Sequence, residues 1–226
     1  MTHYKATDPN GNSFGAPEVT WRVGRITRDA LPAGTTLCRK GLLHAATVET
    51  EALASHVEID IRRGYRLFAV EPRGPVVADD THPHKVGCRA WKVTAELPAW
   101  QALGPQGRQV LEIIERAGRL TGDEAVRLIA AGYAAGYAAR DAARDAAGYA
   151  TWGAAGYAAW YAAGGATWGA AWCAGGGATW GAAGGAARDA ALAVLTWDLC
   201  DADYTPAMRD LLLAPWREVI GLPEGL

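Results

Sequence analysis

The densest set of metal-type ligands in the chain is DDTHPHKVGC (79–88), which carries Asp79, Asp80, His82, His84 and Cys88. His-x-His on a strand would put both imidazoles on one face, the donor arrangement that suits zinc or a similar cation. Pro83 between them and the absence of a distant partner motif turn the reading towards a polar loop. His82 and His84 are therefore the metal candidates, and the expectation is no metal. A second couple is Cys38 in TLCRKG and His44 in GLLHAAT. A thiolate nucleophile needs an imidazole in hydrogen-bond reach and a third group to orient it. Closeness in sequence supplies neither, so His44 reads as a half-buried structural residue and no catalytic residue is assigned.

Two compositions hold these residues. The first hundred mix proline, charge and β-branched residues, with turn signals at DPNGN (8–12), LPAGT (31–35) and PRGP (72–75). Strand patterns lie at 20–26 (TWRVGRI), 57–61 (VEIDI), 66–71 (RLFAVE) and 90–96 (AWKVTAE). TVETEALAS (47–55) predicts a short helix capped by its threonine. The expected class for residues 1–100 is α+β. Apolar residues at 110, 111, 113, 114 and 120 then predict a connecting helix over 105–119. TGDE (121–124) has the capping-box pattern, in which Thr121 and Glu124 satisfy each other's amides. TPAMRDLLLAPW (205–216) places Thr205 as cap and Pro206 at the first helical position of a helix expected to stop at Pro215, with a tail to 226.

Between them, over about 121–200, runs a four-residue repeat. Every fourth residue from Ala134 to Ala190 is alanine, and the next is alanine in most units. The remaining two positions hold glycine, charge or rings: Tyr149, Trp152, Tyr157, Trp160, Tyr161, Trp168, Trp172 and Trp180. On a helix a step of four overshoots one turn by about 40°, so the pattern builds a ridge of rings beside a groove of alanine. Such ridges interdigitate closely when the groove is small. The 14 glycines between 131 and 190 weaken a lone exposed helix by about 1 kcal/mol each. The tract is therefore expected to be mostly helical, broken or packed at its glycines; the alternative is a β-solenoid, disfavoured because alanine and glycine are poor strand residues.

Composition removes several functions. The uncharged run 146–187 exceeds a bilayer span but holds no Leu, Ile, Val or Phe, so no membrane span is expected. The threonines at 151, 167 and 179 are spaced too unevenly to match an ice lattice. A formal charge of −2 gives no field for nucleic acid, and Arg140 and Arg144 are matched by Asp141 and Asp145. Four scattered cysteines predict reduced thiols, and MTHYKATDPN predicts no secretory signal.

TLCRKGLLHAATVETEALA (36–54), GYRLFAVEPRGPVV (64–77) and HKVGCRAWKVTAEL (84–97) carry a family resemblance. Residues 3–97 resemble a small domain of unknown function common in bacteriophage genomes, with a YKATD-like start and a C-x-x-GLH-A motif that stands here as CRKGLLHA. Such domains are often followed by low-complexity repeats, and they bring no activity with them. More distantly, GLLHAATVETEALA followed by RLFAVEPRG resembles the ADP-ribosyltransferase fold. By that resemblance the ring that stacks on nicotinamide falls at Leu43, the ribose-anchoring histidine near Lys5 or Ala6, and the nearest acid is Glu96. Those substitutions predict no transferase turnover, although a nucleotide- or peptide-binding cleft could survive.

The expectation is a non-catalytic phage accessory or structural protein, in the host cytoplasm or the virion, with no cofactor. Self-association runs through 121–200, anchored by the tryptophans and tyrosines. The alternative is a divergent ADP-ribosyltransferase-like enzyme using His44 and Glu96, or a module holding a small nucleotide in the first domain.

Overall fold

The structure, a computed structural model, describes residues 1–14, 16–29, 41–53, 64–79, 82–134, 142, 145, 178–199 and 205–226, with the side chains of 133–134, 178–184 and 196–199 outside the description. The described chain divides into two compact units between Ala102 and Leu103.

The chain as a whole mixes an antiparallel sheet with α-helices, in line with the expected α+β class; among the described residues of the first unit the elements are strands and 3-10 turns. Its strands are β1 (His3–Thr7), β2 (Asn12–Ser13), β3 (Ala16–Thr20), β4 (Ile26–Arg28), β5 (Leu43–Ala46), β6 (Arg66–Pro72), β7 (Val77–Ala78), β8 (Lys85–Cys88) and β9 (Ala90–Leu97). Seven form one antiparallel sheet in the order β4-β9-β6-β1-β5-β8-β7, and β2 pairs with β3 in a separate hairpin. β6 and β9 fall where alternation predicts them. The expected 57–61 strand and the 31–35 turn lie outside the described residues.

The expected 20–26 strand is broken. β3 ends at Thr20, a turn closes with the Arg25 amide donating to the Arg22 carbonyl at 3.0 Å, and β4 starts at Ile26. Gly24, at φ +79°, makes this possible, since that conformation costs L-residues about 1–2 kcal/mol. The expected 47–55 helix shrinks to a 3-10 turn over Glu49–Ala52 with Val48 at its N-cap. Thr47 is not the cap because its hydroxyl lies 2.9 Å from His84 Nδ1.

One side of the sheet builds the core from Trp21, Leu43, Ala45, Phe68, Val70, Val86, Cys88, Trp91 and Val93. Trp21, Phe68 and Trp91 are fully buried, each contributing about 2–3 kcal/mol. The Trp91 indole donates to the Leu43 carbonyl at 2.9 Å, so neither polar group is stranded. Trp21 is held by the DPNGN turn. Asp8 accepts from the amides of Asn10 and Asn12 at 2.9 and 2.7 Å, and the Trp21 amide donates to the Gly11 carbonyl at 2.7 Å. Gly11 has φ +85°, and a Cβ there would lie 2.9 Å from the Trp21 carbonyl oxygen.

The second unit, read from Leu103, holds four described helices: α1 (Gly107–Ala117), α2 (Gly122–Ala134), α3 (Ala178–Leu199) and α4 (Pro206–Val219). α1 buries Val110, Ile113, Ile114 and Ala117 at helical spacing. The capping box forms: the Thr121 amide donates to Glu124 at 2.9 Å and the Glu124 amide to the Thr121 hydroxyl at 3.3 Å. α4 starts as expected, with the Met208 amide donating to Thr205 Oγ1 at 3.3 Å. It does not stop at Pro215 but continues to Val219. A proline inside a helix costs about 3 kcal/mol. Here Leu212, Leu213, Pro215 and Trp216 are all buried together, which offsets that cost.

Candidate functional site

The repeat ends inside α3, so that helix shows what its alanines do. In α3 two repeat columns are described, Ala186 and Ala190 in one and Ala187 and Ala191 in the other, and all four are fully buried. Leu192, Ala193, Val194 and Leu195 extend the burial to every side of the helix. α3 accordingly packs on α1, α2 and α4 together. Those helices bury Val110, Ile113, Ile114 and Ala117; Ala125, Leu128 and Ala131; and Leu212, Leu213 and Trp216. A helix with neighbours all round needs small residues on most faces, because methyl groups let the axes approach. Asp189, in the fourth column, is fully buried, and both it and half-buried Arg188 carry polar interactions. Trp180 lies on α3 but its side chain is outside the description. Tyr149, Trp152, Tyr157, Trp160, Tyr161, Trp168 and Trp172 lie outside the described residues.

The chemistry-bearing residues of the first unit are dispersed by the sheet. Glu96 is opposite Phe68 on β6, on the side that carries the aromatic core. There it accepts two bonds from Arg66, one at 2.7 Å from Nε, and the guanidinium holds its carboxyl below the usual range. His44 sits between Leu43 and Ala45, both in that core, so strand alternation turns its imidazole to the opposite side. β5 and β9 are separated by two strands, roughly 14 Å across at normal spacing. The structure thus does not bring His44 and Glu96 together. Burial, then the positive charges of Lys85 and Lys5, lowers the His44 pKa to about 4, so its imidazole is neutral at pH 7.

His82 and His84 diverge as well. They stand in the turn before β8 and not on a strand. His84 turns to Thr47, while the largely exposed His82 lies 3.4 Å from Asp79. Among the described residues no group of three His, Cys, Asp or Glu side chains is arranged to hold a metal ion. Cys88 is a buried free thiol; Cys38, Cys173 and Cys200 lie outside the described residues.

Sequence reasoning names Lys5 only through a resemblance and gives no sign that it is a buried, strongly perturbed cation. It is 5 % exposed in the middle of β1, with its amine 5.5 Å from the Trp21 ring centroid. Burial, with repulsion from Lys85, lowers its pKa to about 8. The indole face stabilises the ammonium in place of water. Two residues away His3 is also buried, edge-on to Trp91 at 5.1 Å, and burial holds its pKa down. The parity of His3, Lys5 and Thr7 in HYKAT is the available signal, but polar residues at alternate positions normally mark a solvated face.

Among the described residues no helix is long and apolar enough to cross a membrane. Comparison of the chain with protein-family models, curated proteins and solved structures gives no match.

Proposed function

We propose that the chain is a non-catalytic assembly protein, of the accessory or structural kind found with phages, whose Ala/Gly/Trp repeat is a close-packing helical device. The observation that carries this is the burial of both described alanine columns of the repeat in α3, with α1, α2 and α4 packed against it. The column of Ala186 and Ala190 runs back unbroken to Ala134 in the sequence, and the column beside it is alanine in most units. Extending the seam along them gives the intervening tract the same role, with Trp152, Trp160, Trp168, Trp172 and Trp180 as anchors and Tyr149, Tyr157 and Tyr161 beside them. A buried indole covers on the order of 200 Å², so five on an otherwise alanine tract exceed what a monomer leaves bare. The tract is covered by its own chain or by a second copy. Sedimentation velocity of the full chain at micromolar concentration tests this. A compact particle or a homo-oligomer is expected, and an elongated monomer would overturn the reading.

A further inference from the structure

We propose that the outer edge of β4 is a docking strand for an acidic, extended polypeptide segment. β4 is the first strand of the sheet order, so β9 pairs with only one of its sides. Which main-chain groups face the open side follows from the ladder. The Val93 amide donates to the Arg25 carbonyl at 2.9 Å and the Asp29 amide to the Arg89 carbonyl at 3.0 Å, so Val93 and Arg89 face β4. The Ala90 carbonyl instead accepts from Arg73 at 2.8 Å, on the β6 side. Antiparallel strands alternate in this way, so Ile26, opposite Lys92, and Arg28, opposite Ala90, turn their N–H and C=O groups away from β9. That leaves a short row of alternating donors and acceptors at the sheet edge.

The side chains around the row choose the occupant. Arg22, Arg25 and Arg28 are all exposed, and none forms an ion pair with a described residue. Val23 and Ile26 are exposed among them, at 52 % and 46 %. An added strand satisfies the main-chain row, and carboxylates on it meet three arginines. A second copy pairing through β4 would bring its own three arginines to the same edge, and that concentration of positive charge disfavours self-pairing. A phosphodiester backbone offers acceptors only, so unlike a peptide backbone it leaves the outward carbonyls unmet. Arginines can also serve merely to keep other strands off an edge, and the experiment separates that role from docking.

The full chain is titrated with a fluorescein-labelled peptide of glutamate, valine and threonine, followed by anisotropy, with amide exchange followed by NMR. Binding that weakens with salt and slows exchange at Ile26 and Arg28 is the expected result. The triple variant Arg22→Glu, Arg25→Glu, Arg28→Glu should then lose about tenfold or more in affinity, while a peptide with lysine in place of glutamate stays unbound. No binding of the glutamate peptide overturns the proposal. So does binding that leaves both amides unprotected, which would be electrostatic attraction without an added strand. Tighter binding of oligothymidylate than of the peptide would also overturn it and give the edge to nucleic acid.

Discussion

The two units solve the same packing problem with opposite means. The sheet unit gathers large rings, Trp21, Phe68 and Trp91, from three distant segments and locks each with a directional contact. The helical unit surrounds α3, whose described interior is mainly alanine, and lets its neighbours supply the bulk through Ile113, Leu128, Leu212 and Trp216. In the first, volume resides in the side chains and the backbone keeps its distance. In the second, the backbones close the distance and side-chain volume becomes a liability. Removing atoms should therefore harm the sheet unit, and adding them should harm the helical one.

The largest effect should come from Trp91→Ala, which leaves a cavity beside His3 and removes the indole's hydrogen bond to the Leu43 carbonyl. A loss of about 3–5 kcal/mol is expected, read as faster amide exchange across β6 and β9. A change under about 1 kcal/mol would break the contrast. Next, Ala190→Leu forces a larger group into the α3 seam and should destabilise the helical unit by about 1–3 kcal/mol in urea unfolding monitored by far-UV circular dichroism. If leucine is accepted without loss, the seam has room and the alanines are not there for close approach.

Lys5→Met sharpens the comparison through pH. The folded pKa of Lys5, about 8, lies below its ordinary value of 10.5. Between those values the unfolded chain holds more protons, so native stability rises with pH across that window. The variant lacks this slope. It should be more stable than the wild type at pH 7, by about 2 kcal/mol, with the gap narrowing from pH 8 upward. His44 acts in the acid range with the same sign. Its folded pKa of about 4 lies below 6.5, so stability falls as pH drops through that interval, and His44→Gln should flatten the fall. The smallest effect is at Thr121→Ala, which removes the hydroxyl acceptor of the capping box at the start of α2 and should cost about 1 kcal/mol.

Local chemistry is legible in the sequence itself. Thr121 with Glu124, Thr205 with Pro206, and the apolar spacing of α1 each announce a helix through contacts within a few residues. The strands β6 and β9 show the same kind of local signal in their alternation. What the sequence hides depends on distant neighbours. Pro215 reads as a stop, yet burial beside Trp216 keeps α4 going. HYKAT reads as polar and is instead buried on both sides, because β5 and β6 flank it from some 40 and 60 positions away. His44 and Glu96 read as a possible pair. Their separation depends on strand order and on a bulge between Ala69 and Val70, neither of which leaves a mark in either residue's own segment.

The placement of β1 has a kinetic consequence. It precedes every other strand in the chain yet occupies the middle of the sheet, so both of its partners are made much later. Until β5 emerges a nascent HYKAT has no ladder to join, and until β6 follows one of its edges stays open to water. Closing such long loops before any contact rewards them slows folding. The sheet unit should therefore assemble in one late step, when β9 is released, and not grow strand by strand from its first residues.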